Sequence, residues 1–340
     1  MNESYLNTTV CLLCGETAKQ STIQKGYMEP DIFKIYHCEF CNTSFSMPRV
    51  SGSKVYELIY KNTEKIRGYC RYAQYQNKVL DFPNPIDFLS NSDPSYWGSI
   101  HALKSVLNID RNARVLEVGS GLGYFTYSLK RAGYNIKGLD ISKEAVEAAI
   151  NKYGDFYICD DLIQYAQKNS EAYDVVIMTE VIEHLNEPKV FIEAIKQLIK
   201  PKGACILTTP NKSFYSQDVL WVTDAPPVHC WWFSEESIKF ISKLFDMELK
   251  SVNFGSFYKK HSELYRITNL NNEGSSVFDN NGNVIYDEQN NMHKFRTPKW
   301  LKNINTYIKL RNYILKKKYP GRYMKGGLRS TSICAILIKN

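Results

Sequence analysis

Residues 113–123 read Ala-Arg-Val-Leu-Glu-Val-Gly-Ser-Gly-Leu-Gly, a short apolar run containing one acid, then a glycine at every second position. An apolar run of this length bounded by glycines predicts a buried parallel strand. The glycines allow a tight turn that brings the backbone close to a ligand. Residues 124–131 have a helical pattern, so the loop leads into a helix N-terminus. Together these features predict a nucleotide-type binding loop.

The spacing of the glycines in the loop indicates which kind of nucleotide ligand it can bind. Dinucleotide-binding loops follow the pattern G-x-G-x-x-G, whereas this chain has Tyr124 at the last of those positions and reads G-x-G-x-G. Glu117 lies two residues before Gly119, where a carboxylate would repel a pyrophosphate. We therefore expect a ligand that has no phosphates and carries a free ammonium group, and we disfavour a nicotinamide dinucleotide.

Further apolar runs predict four more strands, at residues 135–140, 156–161, 173–178 and 204–209. Helical patterns lie between them, at residues 143–151, 162–168 and 188–199. Alternation of strands and helices at this spacing predicts an α/β fold with a doubly wound parallel sheet. Ligands of such sheets bind at the carboxyl ends of the strands, and the acids of this chain fall at those ends.

Four short segments occur in a fixed order: LEVGSGLG at 116–123, GLDIS at 138–142, EVIEHL at 180–185 and TTPN at 208–211. Through them, the chain resembles the class I S-adenosylmethionine-dependent methyltransferases over roughly residues 97–255 and again at its last strand. The resemblance implies a Rossmann-like, mostly parallel seven-stranded sheet. Residues 247–254 would be its sixth strand and residues 332–339 its seventh, at an antiparallel edge.

The resemblance also implies a binding site for S-adenosylmethionine. Its residues would be Glu117, Gly119, Gly121, Gly123, Asp140, Asp160, Asp161 and Glu180. In this assignment Glu117 and Glu180 lie beside the methionine end of the cofactor, and Asp140 binds the ribose hydroxyls. Asp160 accepts from the adenine amino group, with Asp161 as the alternative. A helix N-cap is a competing role for either of these last two.

Two cysteine pairs near the N-terminus, Cys11-x-x-Cys14 and Cys38-x-x-Cys41, have the spacing of a four-cysteine zinc site. Four thiolates complete a tetrahedral ion and leave no position for a catalytic water, so we expect structural zinc. The other five cysteines are scattered, which suits a reducing compartment. The segment CLLCG…YHCEFCNTSFSMPR…YELIY resembles the zinc-ribbon leader of bacterial methyltransferases, prominent among them enzymes acting on sugar nucleotides, surface glycans and secondary metabolites.

These patterns divide the chain into a zinc ribbon at 1–48, a helical connector or lid at 49–96, and a methyltransferase core at 97–340 with an insertion at about 256–330. Residues 54–80 of the connector have helical apolar spacing, and prolines interrupt residues 81–94. Tyr69 or Tyr72 could cover the sulfonium of the cofactor, because an aromatic face suits a cation.

The aromatic segment 211–233 follows the fifth strand and is expected to bind the acceptor. Methyl transfer requires alignment of the acceptor and removal of its proton. His229 is the candidate general base because imidazole titrates near neutral pH. Glu180 and His184 are weaker candidates, and Glu183 and His184 could instead cap the start of a helix.

Composition sets wider bounds. The 340 residues are 44% hydrophobic and carry a formal net charge of +8, which suits an anionic substrate or nucleic acid. The chain has no apolar run long enough for a membrane span and does not begin like a secretory signal, so a cytoplasmic location is expected. The insertion could cap the substrate site, form a homodimer or hold RNA.

Three functional hypotheses follow. The first is methyl transfer to a small, polar or anionic molecule such as a nucleotide sugar, a surface-glycan precursor or a secondary metabolite. The second is an RNA methyltransferase that uses the basic segment 309–329 for phosphate contacts. The third, from another class, is an inactive protein that keeps this fold for binding.

Overall fold

A computed structural model describes residues 7–50, 52–66, 69–214, 225–261, 276–285, 323–324 and 327–340. Within these residues the chain forms one seven-stranded mixed sheet flanked by helices, and a smaller sheet that contains the N-terminal cysteines. The predicted α/β class and the seven-stranded, mostly parallel sheet are confirmed.

The elements of the N-terminal third come first. The strands are β1 (Thr8–Val10), β2 (Thr17–Lys25), β3 (Ile32–Cys38) and β4 (Thr43–Met47). The helices are α1 (Ser53–Lys61), α2 (Cys70–Lys78), α3 (Pro85–Ser92) and α4 (Pro94–His101), and α4 continues into a π-helical turn at Ala102–Val106.

The core follows with strands and helices in alternation. Its strands are β5 (Arg114–Val118), β6 (Asn135–Asp140), β7 (Tyr157–Cys159), β8 (Tyr173–Thr179) and β9 (Ile199–Pro210). Its helices are α5 (Tyr124–Arg131), α6 (Lys143–Tyr153), α7 (Leu162–Lys168) and α8 (Pro188–Leu198). The remaining elements are β10 (Trp231–Trp232), α9 (Glu235–Leu244), β11 (Met247–Ser251), α10 (Gly255–Lys260), β12 (Tyr323–Met324), β13 (Gly327–Leu328) and β14 (Ser332–Lys339).

The large sheet has the order β11-β14-β9-β8-β5-β6-β7. Strands β5 to β9 run parallel, and β14 pairs antiparallel with both β9 and β11. At the centre, Val118 lies opposite Leu139 of β6 and Met178 of β8, so three strands end at the same level. The residues that follow these strands are thereby brought to one edge.

The connector is helical, as its sequence predicts. The helical pattern over 54–80 forms two helices, α1 and α2, instead of one. As predicted, segment 81–94 is divided at its prolines: α3 ends at Ser92, Asp93 is extended, and Pro85 and Pro94 each occupy the first turn of a helix. Proline is compatible with that position because the first N–H groups of a helix have no intrahelical partner.

The insertion before β14 is described only in part. Residues 276–285 form a turn in which Asp279 N–H donates to Asn283 O (2.9 Å), and Phe278 bridges Val284 and Met28. The predicted helix at 298–318 lies outside the described residues. None of the helices in the described part of the chain is both long and apolar enough to cross a membrane.

Substitution of Gly123 tests the close packing of the glycine loop before α5. Its φ is +77°, and a Cβ there would come within 2.7 Å of Ala149 Cβ and 2.9 Å of the Tyr157 ring. Gly133 also has a positive φ, +86°, but nothing lies within 4 Å of its Cβ position. Gly133→Ala should cost about 1 kcal/mol for the left-handed conformation, and Gly123→Ala about 1–3 kcal/mol more for overpacking. Urea denaturation measures both, and equal losses would contradict this packing.

Candidate active site

The carboxyl ends of the parallel strands bring four predicted carboxylates to one edge of the sheet. Glu117 lies in β5, Asp140 ends β6, Asp160 follows β7 and Glu180 follows β8. In a doubly wound sheet this edge is where ligands bind. Four carboxylates along it favour a ligand that carries positive charge.

Glu117 is a buried carboxylate, only 4% exposed, next to the last residue of β5. The Thr126 hydroxyl in α5 donates a hydrogen bond to its Oε2. Burial raises the pKa of Glu117 to about 8, and the Thr126 hydrogen bond opposes that rise. A cationic ligand would favour the ionised form of this carboxyl, so the position fits an ammonium group.

Asp140 holds the glycine loop against the second strand. Its Oδ2 accepts from the Gly121 N–H (2.7 Å), and its Oδ1 accepts from the Ser142 N–H (2.9 Å). The carboxylate therefore has a structural role in shaping the loop. A carboxylate oxygen can accept more than one hydrogen bond, so the predicted role towards ribose hydroxyls remains compatible with this geometry.

Asp160 and Asp161 have different local roles. Asp161 is the N-cap of α7, and its Oδ1 accepts from the N–H groups of Ile163 (2.9 Å) and Gln164 (3.0 Å). Asp160 Oδ1 accepts from the Asp161 N–H (2.8 Å), and its Oδ2 lies 3.7 Å from Lys168 Nζ. Because capping occupies Asp161, we favour Asp160 for the adenine contact.

Glu180 faces the connector. It has a φ of +54°, and its Oε1 accepts from the Ser95 hydroxyl (2.9 Å) at the start of α4. Burial raises the pKa of Glu180 to about 7, with a further rise from the charge of Asp93. Asp93 in turn pairs with Arg71 of α2 (3.1 Å).

The connector therefore lies along the carboxylate edge of the sheet. Arg71 donates to the Tyr72 hydroxyl (2.8 Å), and Tyr69 and Tyr72 pack edge to face with ring centroids 5.9 Å apart. The pKa of Tyr60 in α1 is raised mainly by burial, and the negative charge of Asp140 raises it further. These contacts place Tyr69 and Tyr72 on the side of Glu180, as the predicted cover requires, and the cover itself stays a prediction.

Glu183, His184 and His229 form a compact cluster beyond Glu180, with one ligand-type atom of each within 4.8 Å of the others. Glu183 and His184 belong to a 3₁₀ turn after β8, whereas His229 precedes β10. The two imidazole rings pack edge to face with centroids 4.4 Å apart. The fold thus joins two predicted histidines that are 45 positions apart in sequence.

His184 has a defined orientation within the cluster. Its Nδ1 lies 2.8 Å from Val228 O and 3.0 Å from the Tyr56 hydroxyl. A carbonyl oxygen only accepts hydrogen bonds, so Nδ1 carries the hydrogen and Nε2 bears the lone pair in the neutral ring. Nε2 lies 3.9 Å from Glu183 Oε1.

His229 is 7% exposed, and burial lowers its pKa to about 3. The imidazole is therefore neutral at neutral pH, as a base must be. The same burial makes it weakly basic, because the charged form is poorly solvated. The assignment of His229 as the general base remains a prediction. Its basicity would depend on the neighbouring side chains of Glu183 and His184.

The four N-terminal cysteines converge as predicted. Cys11 Sγ lies 3.6 Å from Cys41 Sγ, and Cys14 Sγ lies 3.5 Å from Cys38 Sγ. These separations are far longer than a disulfide bond and close to the about 3.8 Å expected between sulfurs of a tetrahedral zinc site with Zn–S bonds of about 2.3 Å. The donor set therefore fits structural zinc.

The cysteine sheet is joined directly to the His229 segment. Its order is β1-β2-β3-β4-β10, so Trp231 and Trp232 form its last strand, paired with Phe45 and Ser44. Arg49 stacks on the Trp231 ring (4.5 Å). The Trp231 indole N–H donates to Leu185 O (2.7 Å), next to the turn that carries His184. The ribbon thus supports both histidine-bearing segments.

The structure adds residues that sequence patterns did not single out. They are Tyr56, Arg71, Asp93, Ser95, Thr126 and Thr209. Tyr56, Ser95 and Thr209 each bond a predicted site residue far away in sequence, and Thr126 bonds Glu117 nine positions away. Arg71 and Asp93 pair with each other beside Glu180. Of the six, Tyr56 and Thr209 lie in quoted segments, and those segments do not indicate these contacts. The E-x-x-E-H spacing after β8 was visible in the sequence, but the approach of His229 depends on tertiary folding.

The basic segment 309–329 is described only near its end. Of its eight basic residues, Arg329 is the one among the described residues, and it binds Glu235 through two hydrogen bonds (3.0 and 3.1 Å). Arg329 also donates to Ser213 O (2.9 Å). Its guanidinium is thus engaged within the protein. Trp221 and Asp224 of the aromatic segment lie outside the described residues.

This chain is similar to known methyltransferases. A family model described as "Methyltransferase domain" matches residues 96–252. The ubiquinone biosynthesis O-methyltransferase of Vibrio atlanticus is 35% identical over 108 residues, covering 30% of this chain and 46% of that protein. The mitochondrial enzyme of the same name from Rattus norvegicus is 33% identical over 108 residues, covering 29% and 31%. The matched region thus spans less than half of both relatives.

A solved structure described as a SAM-dependent methyltransferase from Archaeoglobus fulgidus is 16% identical, with a TM-score of 0.43 and coverage of 72% of this chain and 94% of that one. The family match over residues 96–252 confirms the resemblance that the four sequence motifs indicated.

Zinc in the ribbon is tested by elemental analysis. We expect at least one zinc per chain and the loss of one in Cys14→Ser, whereas Cys159→Ser, at an exposed cysteine outside the cluster, should keep it. Because β10 belongs to the ribbon sheet, loss of zinc should also change tryptophan fluorescence. Wild-type protein with no zinc and four titratable ribbon thiols would refute the site.

Glu117 predicts a pH dependence of cofactor binding. Its pKa of about 8 in the cofactor-free protein means that it is mostly protonated at pH 7. The cofactor's ammonium favours the carboxylate, so binding releases a proton, and affinity should rise by up to about tenfold per unit between pH 6 and 7.5. Calorimetry in two buffers measures the proton, and Glu117→Gln should remove the rise. Affinity independent of pH would contradict the assignment.

Proposed function

Because residues 96–252 form a class I methyltransferase domain, we propose that this protein transfers a methyl group from S-adenosylmethionine to an oxygen of a small molecule. One observation carries the proposal: Glu117, Asp140, Asp160 and Glu180 meet at the carboxyl edge of the sheet within that domain. Such a row of carboxylates suits a cationic nucleoside and opposes a pyrophosphate.

Each group of residues binds a different part of S-adenosylmethionine. Glu117 and Glu180 bind its methionine end, with the Gly119, Gly121 and Gly123 loop beneath it. Asp140 binds the ribose hydroxyls while it holds the loop, and Asp160 accepts from the adenine amino group. Tyr69 and Tyr72 of the connector close over the sulfonium, because an aromatic face attracts a cation.

The reaction is a displacement at the activated methyl carbon. An acceptor oxygen forms the new O–CH₃ bond as the S–CH₃ bond breaks, and the bonding electron pair stays on sulfur. The acceptor loses its hydroxyl proton. The protein must therefore align the acceptor and provide for that proton.

We assign removal of the acceptor's hydroxyl proton to the cluster of Glu183, His184 and His229. His229 is the candidate base, and Glu180 and His184 are the weaker candidates. The cluster lies beyond Glu180, away from the adenine end of the site, where an acceptor facing the methyl group would be found.

Several features favour a small, polar or anionic acceptor. The curated relatives are named as O-methyltransferases of ubiquinone biosynthesis, which supports an oxygen acceptor of low molecular mass. The net charge of +8 favours an anionic one, such as a nucleotide sugar or a glycan precursor. The zinc-ribbon leader resembles those of enzymes for such substrates.

Transfer of label from S-adenosylmethionine tests the proposal. The protein is incubated with labelled cosubstrate and either a small-molecule ultrafiltrate of cell extract or purified RNA. We expect label in the ultrafiltrate, and Asp140→Ala should lose cosubstrate affinity by about tenfold or more, measured by calorimetry. Asp155→Ala, at the loop before β7, is the matched control and should bind normally.

Two results would overturn the proposal. Label entering RNA alone would favour the RNA hypothesis and direct attention to segment 309–329. No calorimetric binding of S-adenosylmethionine by the wild-type protein would favour the hypothesis of an inactive protein that keeps the fold for binding.

A further inference from the structure

We propose that Glu183, His184 and His229 bind a divalent cation, and that this cation holds the acceptor oxygen. This is a second metal site, separate from the cysteine cluster of the ribbon. Two imidazoles and one carboxylate form a set used for Zn²⁺, Mn²⁺, Fe²⁺ and Co²⁺. The catalytic part of the inference rests on the proposed function, whereas cation binding does not.

The first support is convergence. The three ligand-type atoms lie within 4.8 Å of one another, although they come from segments that follow two different strands. Metal–ligand bonds of about 2.1 Å place ligand atoms up to about 4 Å apart. A cation would therefore need only a small inward movement of these side chains.

The second support is the orientation of the ligands by outer hydrogen bonds. His184 donates its Nδ1–H to Val228 O (2.8 Å), which directs the lone pair of Nε2 towards Glu183. Glu183 Oε2 accepts from the Thr209 hydroxyl (2.9 Å), while its Oε1 is the atom nearest His184 Nε2. Metal-binding histidines characteristically donate their other ring N–H to a carbonyl or carboxylate, and metal-binding carboxylates are themselves hydrogen-bonded.

The third support is burial. Glu183 is 1% exposed, and a cation bound to it would offset the cost of removing an ionised carboxylate from water. His184 is 23% exposed and leaves a side of the cluster open. Three protein ligands leave further coordination positions for a substrate oxygen, as in catalytic zinc sites.

The cation would change the part that His229 plays. A hydroxyl bound to a divalent cation loses its proton more readily, because the metal stabilises the oxyanion. With the cation bound, the hydroxyl proton would pass to solvent as the acceptor oxygen attacks the methyl carbon. His229 would act here as a ligand of the cation, and its candidate role as general base belongs to the protein without that cation. The cluster accordingly selects an oxygen acceptor over a carbon acceptor.

Titration with Mn²⁺ tests cation binding on the full chain with zinc kept in the ribbon. Mn²⁺ is suitable because it prefers oxygen ligands such as carboxylates to the thiolates of the ribbon. Electron paramagnetic resonance of the free ion should show one saturable site per chain. Glu183→Gln and His229→Asn should weaken it by about tenfold or more. Glu187→Gln, at an exposed carboxylate four residues further on, should leave it unchanged.

The wild-type titration decides the matter even if a variant does not fold, and circular dichroism identifies such a variant. Absence of saturable Mn²⁺ binding to the wild-type protein would overturn the inference. Equal affinity in the folded Glu183→Gln and control proteins would also overturn it.

Activity separates this inference from the proposed function. Chelation that removes the second cation and leaves ribbon zinc should reduce methyl transfer at least tenfold, Mn²⁺ should restore it, and affinity for S-adenosylmethionine should be unchanged. Full transfer without the second cation would reject the catalytic role while the function stands. Mn²⁺ binding without any S-adenosylmethionine binding would reject the function while the cation site stands.

Discussion

Parallel pairing of β5 with β6 and β8 is the constraint on which the site depends. Because Val118, Leu139 and Met178 lie side by side in register, the residues after each strand reach the same edge of the sheet. A shift of one residue would reverse which face each side chain points to. The carboxylates at these strand ends therefore meet only in this register. Burial raises the pKa of Glu117 to about 8, so a cationic ligand bound at this edge would favour its ionised form.

The ribbon and the core are coupled through the same region. Strand β10 is the outer strand of the cysteine sheet, and Cys230 just before it donates its N–H to Glu183 O (2.8 Å). The backbone that carries His229 is therefore held between a sheet built around four thiols and the turn after β8. In this arrangement a structural metal would influence the acceptor side of the site without contacting the acceptor. The position of the ribbon thus has a physical reason beyond the stability of the small sheet.

The same edge of the large sheet divides into two electrostatic regions. From β7 to β8 it carries carboxylates suited to a cationic nucleoside, and Asp140 also holds the glycine loop in place. Beyond Glu180, the side chains change to a buried carboxylate with two imidazoles, a set suited to an oxygen acceptor or a cation that binds one. The connector contacts both regions: Ser95 donates to Glu180 at the boundary of the first, and Tyr56 of α1 contacts His184 in the second. Closure of the site by the connector stays a prediction.

The sequence by itself determined the elements whose pattern is local. The run at 113–123, the strand–helix alternation and the paired cysteines predicted the fold, the glycine loop, the carboxylates at the strand ends and the cysteine cluster. In the connector it indicated the breaks at the prolines but not that Pro85 and Pro94 begin new helices, a position that proline favours because the first N–H groups need no intrahelical partner. Only the tertiary structure decided the capping role of Asp161, the pairing of β4 with β10, and the meeting of Glu183, His184 and His229. The reason is that these contacts join residues far apart in sequence, whose approach depends on packing that no local periodicity encodes.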